Sequence, residues 1–431
     1  MAKAPPKRIN TSPRVSIDTR TLAPGDLYYA LRGERFDGHD FVEAALAAGA
    51  RAAVVADAQA ARYPPEARTK LRVVPDPLRA LQEQAHRQRQ RWGGPVVAIT
   101  GSAGKTTTKE MIATALGTRL QVLKSEGNFN NHVGLPLTLL RLRPQHQVAV
   151  VELGMNHSGE IARLAEIAAP NVGVFTNVGS AHLGNFASLE AIAAAKRELA
   201  LAIPTSGTLV LNADDARVAR FGDGFGGRVV FYRAREYQGE LRFPGRHNRA
   251  NAAAALATAL LFQVDQEAAQ KQLAALVPPP GRGQILHWGG MLLIHDCYNA
   301  NPEAMEQMLQ VLAATPGQRR VAVLGEMREL GAAAAALHRQ VGAAAAGAGL
   351  DLLVGVQGDA ALMLEGARAA GFAGPTQFFP HAAAAAAALP ALLQPGDAVL
   401  FKASRTVRLE LAVDALDPHQ GGAGAQQVEG G

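Results

Sequence analysis

The 431-residue chain has one cysteine, few aromatic residues and no long uninterrupted apolar run. The single cysteine, Cys297, excludes a disulfide within the chain and fits a reducing compartment. A membrane-spanning helix needs about 18 or more apolar residues, so none is expected. The basic start, MAKAPPKRIN, is not followed by an apolar stretch, and a secretory signal is therefore not expected either.

The charge of the chain is moderate and spread out. Charged residues make up 19% of the sequence, and the net charge of +6 favours an anionic ligand over a cationic one. The arginines are scattered, and neither zinc-ligand spacing nor an RNA-binding aromatic motif accompanies them. Nucleic acid is therefore not an expected partner. The length predicts more than one domain.

Apolar β-branched runs alternate with helical segments, which predicts α/β domains with parallel sheets covered on both faces. Composition divides the chain into three blocks, residues 1–92, 93–278 and 279–431. A Gly-Gly-Pro break follows the first block, and a proline-rich linker opens the third. The clearest strand-like segments are 51–57, 95–100, 147–154, 172–179, 206–214, 291–296, 319–326, 351–357 and 397–403.

The stretch TGSAGKTTTKE, residues 100–110, lies between a strand-like run and a helical segment. It resembles the phosphate-loop pattern G-x-x-x-x-G-K-[ST], except that Ile99 stands where the first glycine should be. N–H groups at a helix start attract phosphate, and we expect Lys105 to reach the terminal phosphates and Thr106 to contact Mg²⁺. The alternative is an ordinary glycine-rich turn. The predicted nucleotide-binding residues of the loop are Gly101, Ser102, Ala103, Gly104, Lys105, Thr106 and Thr107.

Two further polar residues follow strand-like runs. Glu152 ends one of them and has the chemistry of an Mg²⁺ ligand, although a surface acid is the alternative. His182 follows the next one, with a structural histidine as the alternative. The carboxyl ends of parallel strands meet at the ligand-binding edge of a sheet, which favours a shared site. Lys196 lies in a helical segment and, taken alone, would be a solvent-facing lysine.

Several segments together resemble the Mur ligase family, the ATP-dependent amide ligases of peptidoglycan assembly. The family loop is T-G-x-x-G-K-T, which Thr100–Thr106 matches. The other matching segments are GNFNNHVGLPLTLL (127–140), PGRHNRANAAAA (244–255), PGRGQ (280–284), HDCYNANP (295–302) and KASRTVRLE (402–410). The resemblance spans residues 15–415. It implies a small α/β N-terminal domain, a central P-loop parallel-sheet ATPase-like domain and a C-terminal Rossmann-like domain.

The resemblance also implies an active site that uses ATP and two Mg²⁺ ions. It gives catalytic roles to Lys105, Glu152, His182 and Lys196, and metal contacts to Thr106, Glu152, His182 and Lys196. In this family the lysine is carbamylated, which makes sense because an ammonium would repel Mg²⁺ whereas a carbamate offers anionic oxygens. The further nucleotide contacts that it implies are Asn248, Asn251, Arg282, Asp296 and Asn299.

Three segments, 15–41, 152–161 and 324–331, resemble the family branch that joins D-Ala-D-Ala to a UDP-N-acetylmuramoyl tripeptide through an acyl phosphate. The implied protein is a cytoplasmic monomer whose N-terminal block holds the uridine nucleotide. The third residue of the tripeptide is not identified. The implied substrate contacts are Asp18, Arg20, Arg32, Gly33, Asp37, His39, Asn130, Asn131, Lys402, Ser404 and Arg405.

The sequence departs from the family pattern in three ways. Only residues 1–14 precede the VSIDTR segment, which is fewer than the family normally has. The segment 231–244 is short, whereas family members usually carry extra strands there. Glu326 and Ala403 stand where the family more usually has Asp and Gly. Two other functions stay open: the preceding ligase, which adds a diamino acid, and a catalytically impaired ATP-binding scaffold. A folylpolyglutamate ligase shares the phosphate loop but not the RGERFDGHDF segment, residues 32–41, and is not favoured.

Overall fold

The computed structural model describes residues 14–416, and these form three α/β domains, each built on one sheet. The predicted fold class is confirmed. The outer ends of the first and third predicted blocks, residues 1–13 and 417–431, lie outside the described residues. The division at residues 92 and 278 stays an interpretation. Within residues 14–416, no helix has both the length and the apolar character needed to cross a membrane.

The N-terminal domain has a four-stranded parallel sheet in the order β1-β2-β3-β4. A 3₁₀ turn at Gly38–Phe41 precedes the first helix. The elements are β1 (Val15–Ser16), β2 (Leu27–Tyr29), α1 (Val42–Ala47), β3 (Ala52–Ala56), α2 (Asp57–Ala60), α3 (Pro65–Arg68), β4 (Leu71–Val74) and α4 (Pro77–Trp92).

Helix α4 joins the N-terminal domain firmly to the central one. Its buried Leu81 packs against the first sheet. On other faces of the helix, the Gln82 amide donates to the His132 carbonyl at 3.0 Å, and Arg89 Nε donates to the Ala168 carbonyl at 2.9 Å. Both side chains are buried. Since a buried donor that loses its acceptor is costly, the two domains are held in one arrangement.

The central domain has a six-stranded, wholly parallel sheet in the order β10-β9-β8-β5-β7-β6. The chain leaves β5 towards one side of the sheet, and continues from β7 to β8 on the other side, so the strand order reverses around β5. The strands are β5 (Val96–Thr100), β6 (Val122–Lys124), β7 (Val148–Glu152), β8 (Val172–Phe175), β9 (Thr208–Asn212) and β10 (Arg228–Tyr232). The helices are α5 (Lys105–Leu116), α6 (Gly134–Leu140), α7 (Glu160–Ala168), α8 (Leu189–Ala202), α9 (Ala216–Ala219), α10 (Arg246–Leu261) and α11 (Gln266–Ala275).

Strand β5 shows why this sheet needs helices on both sides. Val96 and Ala98 face the core formed with α6, α7 and α8, whereas Val97 and Ile99 face the core formed with α5, α10 and α11. Successive side chains of a strand point to opposite faces. An unbroken apolar run is therefore buried on both faces, as is typical of central parallel strands.

The short segment after β10 is closed by aromatic side chains. Between β10 and α10 the described chain forms only a 3₁₀ turn, Ala234–Glu236, and no further strand. Tyr232 is buried and its hydroxyl donates to the Phe175 carbonyl at 2.8 Å. Tyr237 and Phe243 pack into the same core. The domain is thus completed without the extra strands of the family pattern.

The C-terminal domain has a six-stranded sheet in the order β11-β12-β16-β13-β14-β15. Its strands are parallel except β11, which pairs with β12 in an antiparallel hairpin. Gly289 and Gly290 both have positive φ and form its two-residue turn, a conformation that favours glycine. The sequence did not predict this hairpin. The elements are β11 (Gln284–Trp288), β12 (Met291–Asp296), α12 (Pro302–Ala314), β13 (Arg319–Gly325), α13 (Ala334–Ala346), β14 (Leu352–Val356), α14 (Ala360–Ala369), β15 (Thr376–Phe379), α15 (Ala382–Leu392), β16 (Asp397–Lys402) and α16 (Glu410–Leu416).

The substitution Leu400→Ala in the middle of β16 should destabilise the protein by about 2–5 kcal/mol, because it removes buried methyl groups and leaves a cavity. The matched control is Leu201→Ala on α8. That side chain is 72% exposed, and its loss should change the free energy of unfolding by less than about 0.5 kcal/mol. Urea unfolding followed by circular dichroism measures both. Equal effects of the two substitutions would contradict the described core.

Candidate active site

The ends of three neighbouring central strands form one edge of the sheet. β5 lies between β7 and β8, and all three run in the same direction. The chain after each strand therefore leaves at the same edge. The Leu153 N–H donates to the Ile99 carbonyl at 2.8 Å, and the Thr176 N–H donates to the Thr100 carbonyl at 3.0 Å. This is the edge at which open α/β sheets bind ligands.

The turn after β5 requires glycine at two positions. Gly101 has φ of +153°, and a Cβ there would overlap the Thr176 hydroxyl. Gly104 has φ of +79°, and a Cβ there would press on the Asn251 side chain. Helix α5 begins directly after Gly104 with no side-chain cap. Its first N–H groups have no carbonyl within the helix to bind, so the turn presents donors suited to an anion.

The segment after β8 holds this turn in place. The Ser102 N–H donates to the Asn177 carbonyl, and the Ala103 N–H donates to Asn177 Oδ1, both at 2.9 Å. The Thr176 hydroxyl donates to the Ala103 carbonyl at 2.6 Å, and the Ser102 hydroxyl donates to the Gly179 carbonyl at 3.0 Å. The sequence reasoning missed Thr176 and Asn177. Their position directly after a buried strand is the sequence signal that could have identified them.

Lys105 folds back over the turn. Its Nζ donates to the Gly101 carbonyl at 2.8 Å. Burial lowers the pKa of Lys105, while the nearby carboxylates of Glu152 and Glu329 act to raise it and Arg282 acts to lower it. Residues from the central and C-terminal domains thus meet around one ammonium, where a polyphosphate would gain a further positive partner.

Glu152 lies at the end of β7 and is 2% exposed. The Thr106 hydroxyl donates to its Oε2 at 2.7 Å, and the Asn130 amide donates to its Oε1 at 2.8 Å. Three residues predicted from separate segments are therefore brought together. The neighbouring Asn131 has a different position, since its Oδ1 accepts from the Gly134 N–H at the start of α6.

His182 contacts the C-terminal domain. Its Nδ1 lies 2.5 Å from Oε2 of Glu329, and that contact holds the pKa of the Glu329 carboxyl below its ordinary value. His182 itself has a left-handed backbone, with φ of +65°. Such a conformation is uncommon for a residue other than glycine and is often found at functional sites.

Lys196 is not solvent-facing, contrary to what its helical segment alone indicated. It is 2% exposed on α8, and among residues 14–416 its amine has neither a hydrogen bond nor an ion pair. Burial, and secondarily the positive charge of Lys105, lowers the pKa of Lys196 well below its ordinary value. The amine is therefore buried without a counter-charge, close to the phosphate loop.

Asn248 and Asn251 lie beneath the glycine turn. The Asn248 amide donates to the Pro244 carbonyl at 2.8 Å, and the Asn251 amide donates to Asn248 Oδ1 at 3.0 Å. The Thr108 hydroxyl then donates to Asn251 Oδ1 at 3.1 Å. Both asparagines are buried and connect α10 to α5. Their expected contact with a nucleotide base stays a prediction.

The C-terminal domain contributes an ion pair at the ends of β12 and β16. Lys402 is 3% exposed, and its Nζ lies 2.5 Å from Oδ2 of Asp296. The same ammonium donates to the Asn299 carbonyl at 3.0 Å. Breaking a buried pair leaves an uncompensated charge, so this contact fixes the loop that begins at Asp296.

Tyr298 is flanked by two of the predicted arginines. The Arg282 guanidinium stacks 3.8 Å from the centroid of the tyrosine ring, and that of Arg405 lies 6.0 Å from it. Arg405 also pairs with Glu410 at 3.2 Å. The Ser404 hydroxyl accepts from the Arg328 N–H at 2.9 Å. The sequence reasoning did not single out Tyr298, although it lies inside the HDCYNANP segment.

The predicted uridine-binding residues form two local units in the N-terminal domain. Arg20 donates to both oxygens of Asp18, at 3.0 Å from Nε and 2.8 Å from Nη2, and this pairing lowers the pKa of Asp18. In the second unit, His39 Nδ1 lies 2.6 Å from Asp37, and Nε2 accepts from the Ala56 N–H at 3.0 Å. Both ring nitrogens of His39 thus have internal partners.

The loop between these units is a tight turn. Arg32 pairs with Asp37 in an isolated antiparallel bridge, and the Gly33 N–H donates to the Phe36 carbonyl at 2.9 Å. Phe36 is 70% exposed at its tip. None of these contacts includes a substrate, so the uridine site stays a prediction.

The donors around Glu152 satisfy part of what Mg²⁺ requires. Within the described part of the chain, no three His, Cys, Asp or Glu side chains form a group that could hold a metal ion. The described contacts join one carboxylate and one hydroxyl, Glu152 and Thr106, whereas the His182 ring contacts Glu329. Mg²⁺ is bound through one or two carboxylates together with substrate phosphates and water. Glu152 and Thr106 fit that mode.

Comparison with known proteins identifies the family. Residues 13–89 match the Mur ligase family catalytic domain, residues 99–236 the Mur ligase middle domain, and residues 281–405 the Mur ligase glutamate ligase domain. A UDP-N-acetylmuramoyl-tripeptide–D-alanyl-D-alanine ligase from Synechocystis sp. is 41% identical over 427 residues, covering 95% of this chain and 92% of that protein. The chain belongs to the Mur ligase family. The resemblance found in the sequence is confirmed.

Solved structures of Mur ligases have the same architecture. MurF from Acinetobacter baumannii superposes with a TM-score of 0.84 and 33% identity, covering 94% of this chain and 93% of that one. MurF ligase from Thermotoga maritima, solved in complex with ADP, gives a TM-score of 0.81 and 28% identity, covering 94% and 97%. The three-domain arrangement is therefore that of complete Mur ligases.

The substitution Gly101→Ala should weaken ADP binding by about 100-fold, because the added methyl group overlaps the Thr176 hydroxyl and displaces the turn. The matched control is Gly224→Ala in the same domain. Gly224 has φ of +77° but open space around its Cβ position, so it carries the backbone strain without the overlap. Isothermal titration calorimetry with ADP compares the two. Unchanged ADP affinity in Gly101→Ala would contradict a nucleotide site at this turn.

Proposed function

We propose that the protein is an ATP-dependent, ADP-forming ligase that joins D-Ala-D-Ala to a UDP-N-acetylmuramoyl tripeptide in peptidoglycan precursor synthesis. The observation that carries this proposal is the turn at 101–104, with Lys105 above it and the Thr106–Glu152–Asn130 contacts beside it. Its support is the named ligase of Synechocystis, which matches nearly the whole chain. Such nucleotide-linked substrates are soluble, so the proposed location is the cytoplasm. The proposed state is a monomer.

The reaction has two chemical steps. The terminal carboxylate of the tripeptide attacks the γ-phosphorus of ATP, the bond from that phosphorus to the bridging oxygen breaks, and ADP leaves. The amine of D-Ala-D-Ala then attacks the carbonyl carbon of the acyl phosphate. The tetrahedral intermediate loses a proton and expels phosphate, which leaves the amide. The phosphate acceptor is thus a carboxylate and not water.

The residues of this chain act mainly by position and charge. Lys105 is placed to neutralise charge on the transferred phosphoryl group, and the fixed N–H groups of the turn hold the other phosphates. Thr106, Glu152, His182 and a carbamylated Lys196 would hold two Mg²⁺ ions, which would add further neutralisation of phosphate charge. Lys402, Ser404 and Arg405 would face the substrates from the C-terminal domain, beside the nucleotide contacts Asp296, Asn299 and Arg282.

The arrangement also suits exclusion of water. An acyl phosphate hydrolyses readily, so the site has to be closed while it exists. The C-terminal domain already contacts the central one through Glu329 and His182, and residues 276–283 between α11 and β11 contain no helix or strand. That linker is a suitable hinge for opening and closing.

The proposed reaction predicts ADP release that depends on both UDP-N-acetylmuramoyl tripeptide and D-Ala-D-Ala. A coupled assay for ADP, run with each substrate omitted in turn, measures this. Hydroxylamine added without D-Ala-D-Ala should trap the activated carboxylate as a hydroxamate. ADP release with UDP-muramoyl dipeptide and a diamino acid would favour the preceding ligase. Binding of ATP without any turnover would favour a scaffold.

Carbamylation of Lys196 is part of the proposal, and the burial of its side chain supports it. A neutral amine attacks CO₂ and loses a proton to give an anionic carbamate, whereas an ammonium does not react. Burial lowers the pKa of Lys196 well below its ordinary value, which favours the neutral, reactive form of the amine. The product is an anion, which would remove the repulsion between Lys196 and Lys105 and would supply anionic oxygen ligands close to the phosphate loop.

The substitution Lys196→Ala should lower kcat by at least about 100-fold, with partial recovery on adding acetate or formate. Preparing the wild-type enzyme in CO₂-free buffer should lower its activity as well, and ¹³C-bicarbonate should give a carbamate signal in NMR spectra. Lys271→Ala is the control, since Lys271 is an exposed lysine on α11. Full activity of Lys196→Ala would rule out the proposed role.

A further inference from the structure

The start of helix α12 docks against the loop that follows β8. Glu303 is in the first turn of α12, and its carboxylate contacts Ser180 of the central domain at two points. The Ser180 N–H donates to Oε1 and the Ser180 hydroxyl donates to Oε2, both at 2.8 Å. Ser180 is 4% exposed, so these bonds are largely shielded from water. Bonds to an ionised acceptor are stronger than neutral ones.

Ser180 is also connected to the phosphate loop. The preceding residue, Gly179, donates its N–H to the Ser102 hydroxyl at 2.9 Å and accepts from the same hydroxyl through its carbonyl. Ser102 is part of the glycine turn. An unbroken set of contacts therefore runs from the C-terminal domain through Glu303, Ser180 and Gly179 to the nucleotide loop.

A second contact supports the same docked arrangement. The Gly184 N–H donates to the Glu329 carbonyl at 2.9 Å, and Gly184 and Gly331 approach so closely that a Cβ on either would overlap the other backbone. Both Glu329 and Gly331 have positive φ. The loop 179–184 is thus a single surface that receives two separate segments of the C-terminal domain.

We propose that Glu303 is a positioning residue, which holds the C-terminal domain docked on the loop 179–184 and couples that docking to the phosphate loop. Both carboxylate oxygens of Glu303 bond to Ser180, and these bonds are charge-assisted. The pair therefore fixes the orientation of α12 relative to the loop 179–184 as well as its distance from that loop. The loop Asp296–Asn301 directly precedes α12 and is carried with it. The effect of docking on turnover rests on the proposed function, whereas docking itself does not.

The coupling has a thermodynamic consequence. If ADP binds the docked form more tightly, then docking and ADP binding must strengthen each other by the same factor. A variant that loosens docking will show a raised apparent dissociation constant for ADP, since a smaller fraction of the protein is competent to bind. Saturating nucleotide will recover part of the docked population, so KM for ATP will rise more than kcat falls.

The docked population can be measured without following the ligation reaction. Spin labels are placed at Leu201→Cys on α8 and Ala370→Cys after α14, two exposed positions in the two domains. Cys297 is the one native cysteine and is buried, so it will not take up label. Double electron–electron resonance then gives the docked and undocked populations of the whole chain, with and without ADP.

Glu303→Ala should lower the ratio of docked to undocked protein by about 10- to 100-fold. Glu306→Ala is the matched control. Glu306 lies on the same helix but bonds to Gln340 within the C-terminal domain, at 2.8 Å. The substitution Glu306→Ala should leave both the docked population and the ADP affinity unchanged. Glu303→Gln can accept from the Ser180 N–H and donate to its hydroxyl, and should restore most of the docking.

Ser180→Ala provides a second, milder variant, since it removes one bond and leaves the N–H donor in place. If the contact acts as proposed, Ser180→Ala and Glu303→Ala will be non-additive in a double-mutant cycle. The proposal is overturned if Glu303→Ala has the docked population and ADP affinity of the wild type. Loss of docking in a protein that shows no D-Ala-D-Ala ligation would refute the proposed function and leave this inference standing.

Discussion

The backbone of the glycine turn after β5 is held by the chain that follows β8, and the site is organised around that constraint. Thr176 and Asn177 bond to Ser102 and Ala103, so the turn is fixed before any ligand arrives. A phosphate site made of backbone N–H groups works only if those groups already point in one direction. The adjacency of β5 and β8 in the sheet therefore decides where this turn lies.

Two lysines lie near this turn, and among residues 14–416 neither has a carboxylate as a hydrogen-bond partner. Lys105 and Lys196 are both positioned at the site, while the Glu152 carboxylate is already engaged by Thr106 and Asn130. Burial without a counter-charge lowers the pKa of an amine, and it lowers that of Lys196 well below its ordinary value. The turn combines free N–H donors at the start of α5 with the Lys105 ammonium, and this combination suits an anionic ligand.

Long buried strands could be predicted from the sequence, and so could their shared edge. The apolar runs of β5, β7, β13 and β16 are long enough to predict these strands from the sequence. Glu152 ends β7 and the loop from Gly101 follows β5, so both could be placed at the sheet edge. Short strands such as β6 and β15 have too few residues for a pattern, and the β11–β12 hairpin depends on a two-glycine turn. Ala403 replaces the family glycine without strain, because it is absent from the described residues with positive φ.

Contacts between domains could not be derived in this way. Nothing in the local sequence pairs Glu303 with Ser180, or Glu329 with His182, because each pair joins segments more than a hundred residues apart. The same holds for Lys196, whose burial depends on how α8 packs against the sheet. Periodicity reports the face that a residue occupies on its own element, but not the partner that the fold brings to that face.

Helix α4 joins the N-terminal and central domains into one rigid unit. It belongs by sequence to the N-terminal domain, yet Gln82 and Arg89 bond to carbonyls of the central domain at buried positions. A rotation between these two domains would break those bonds together. The linker at 276–283 contains no helix or strand. If it acts as the proposed hinge, the three-domain chain moves as two bodies with one joint, and a substrate held by the N-terminal domain stays stationary relative to the phosphate loop while the third domain moves.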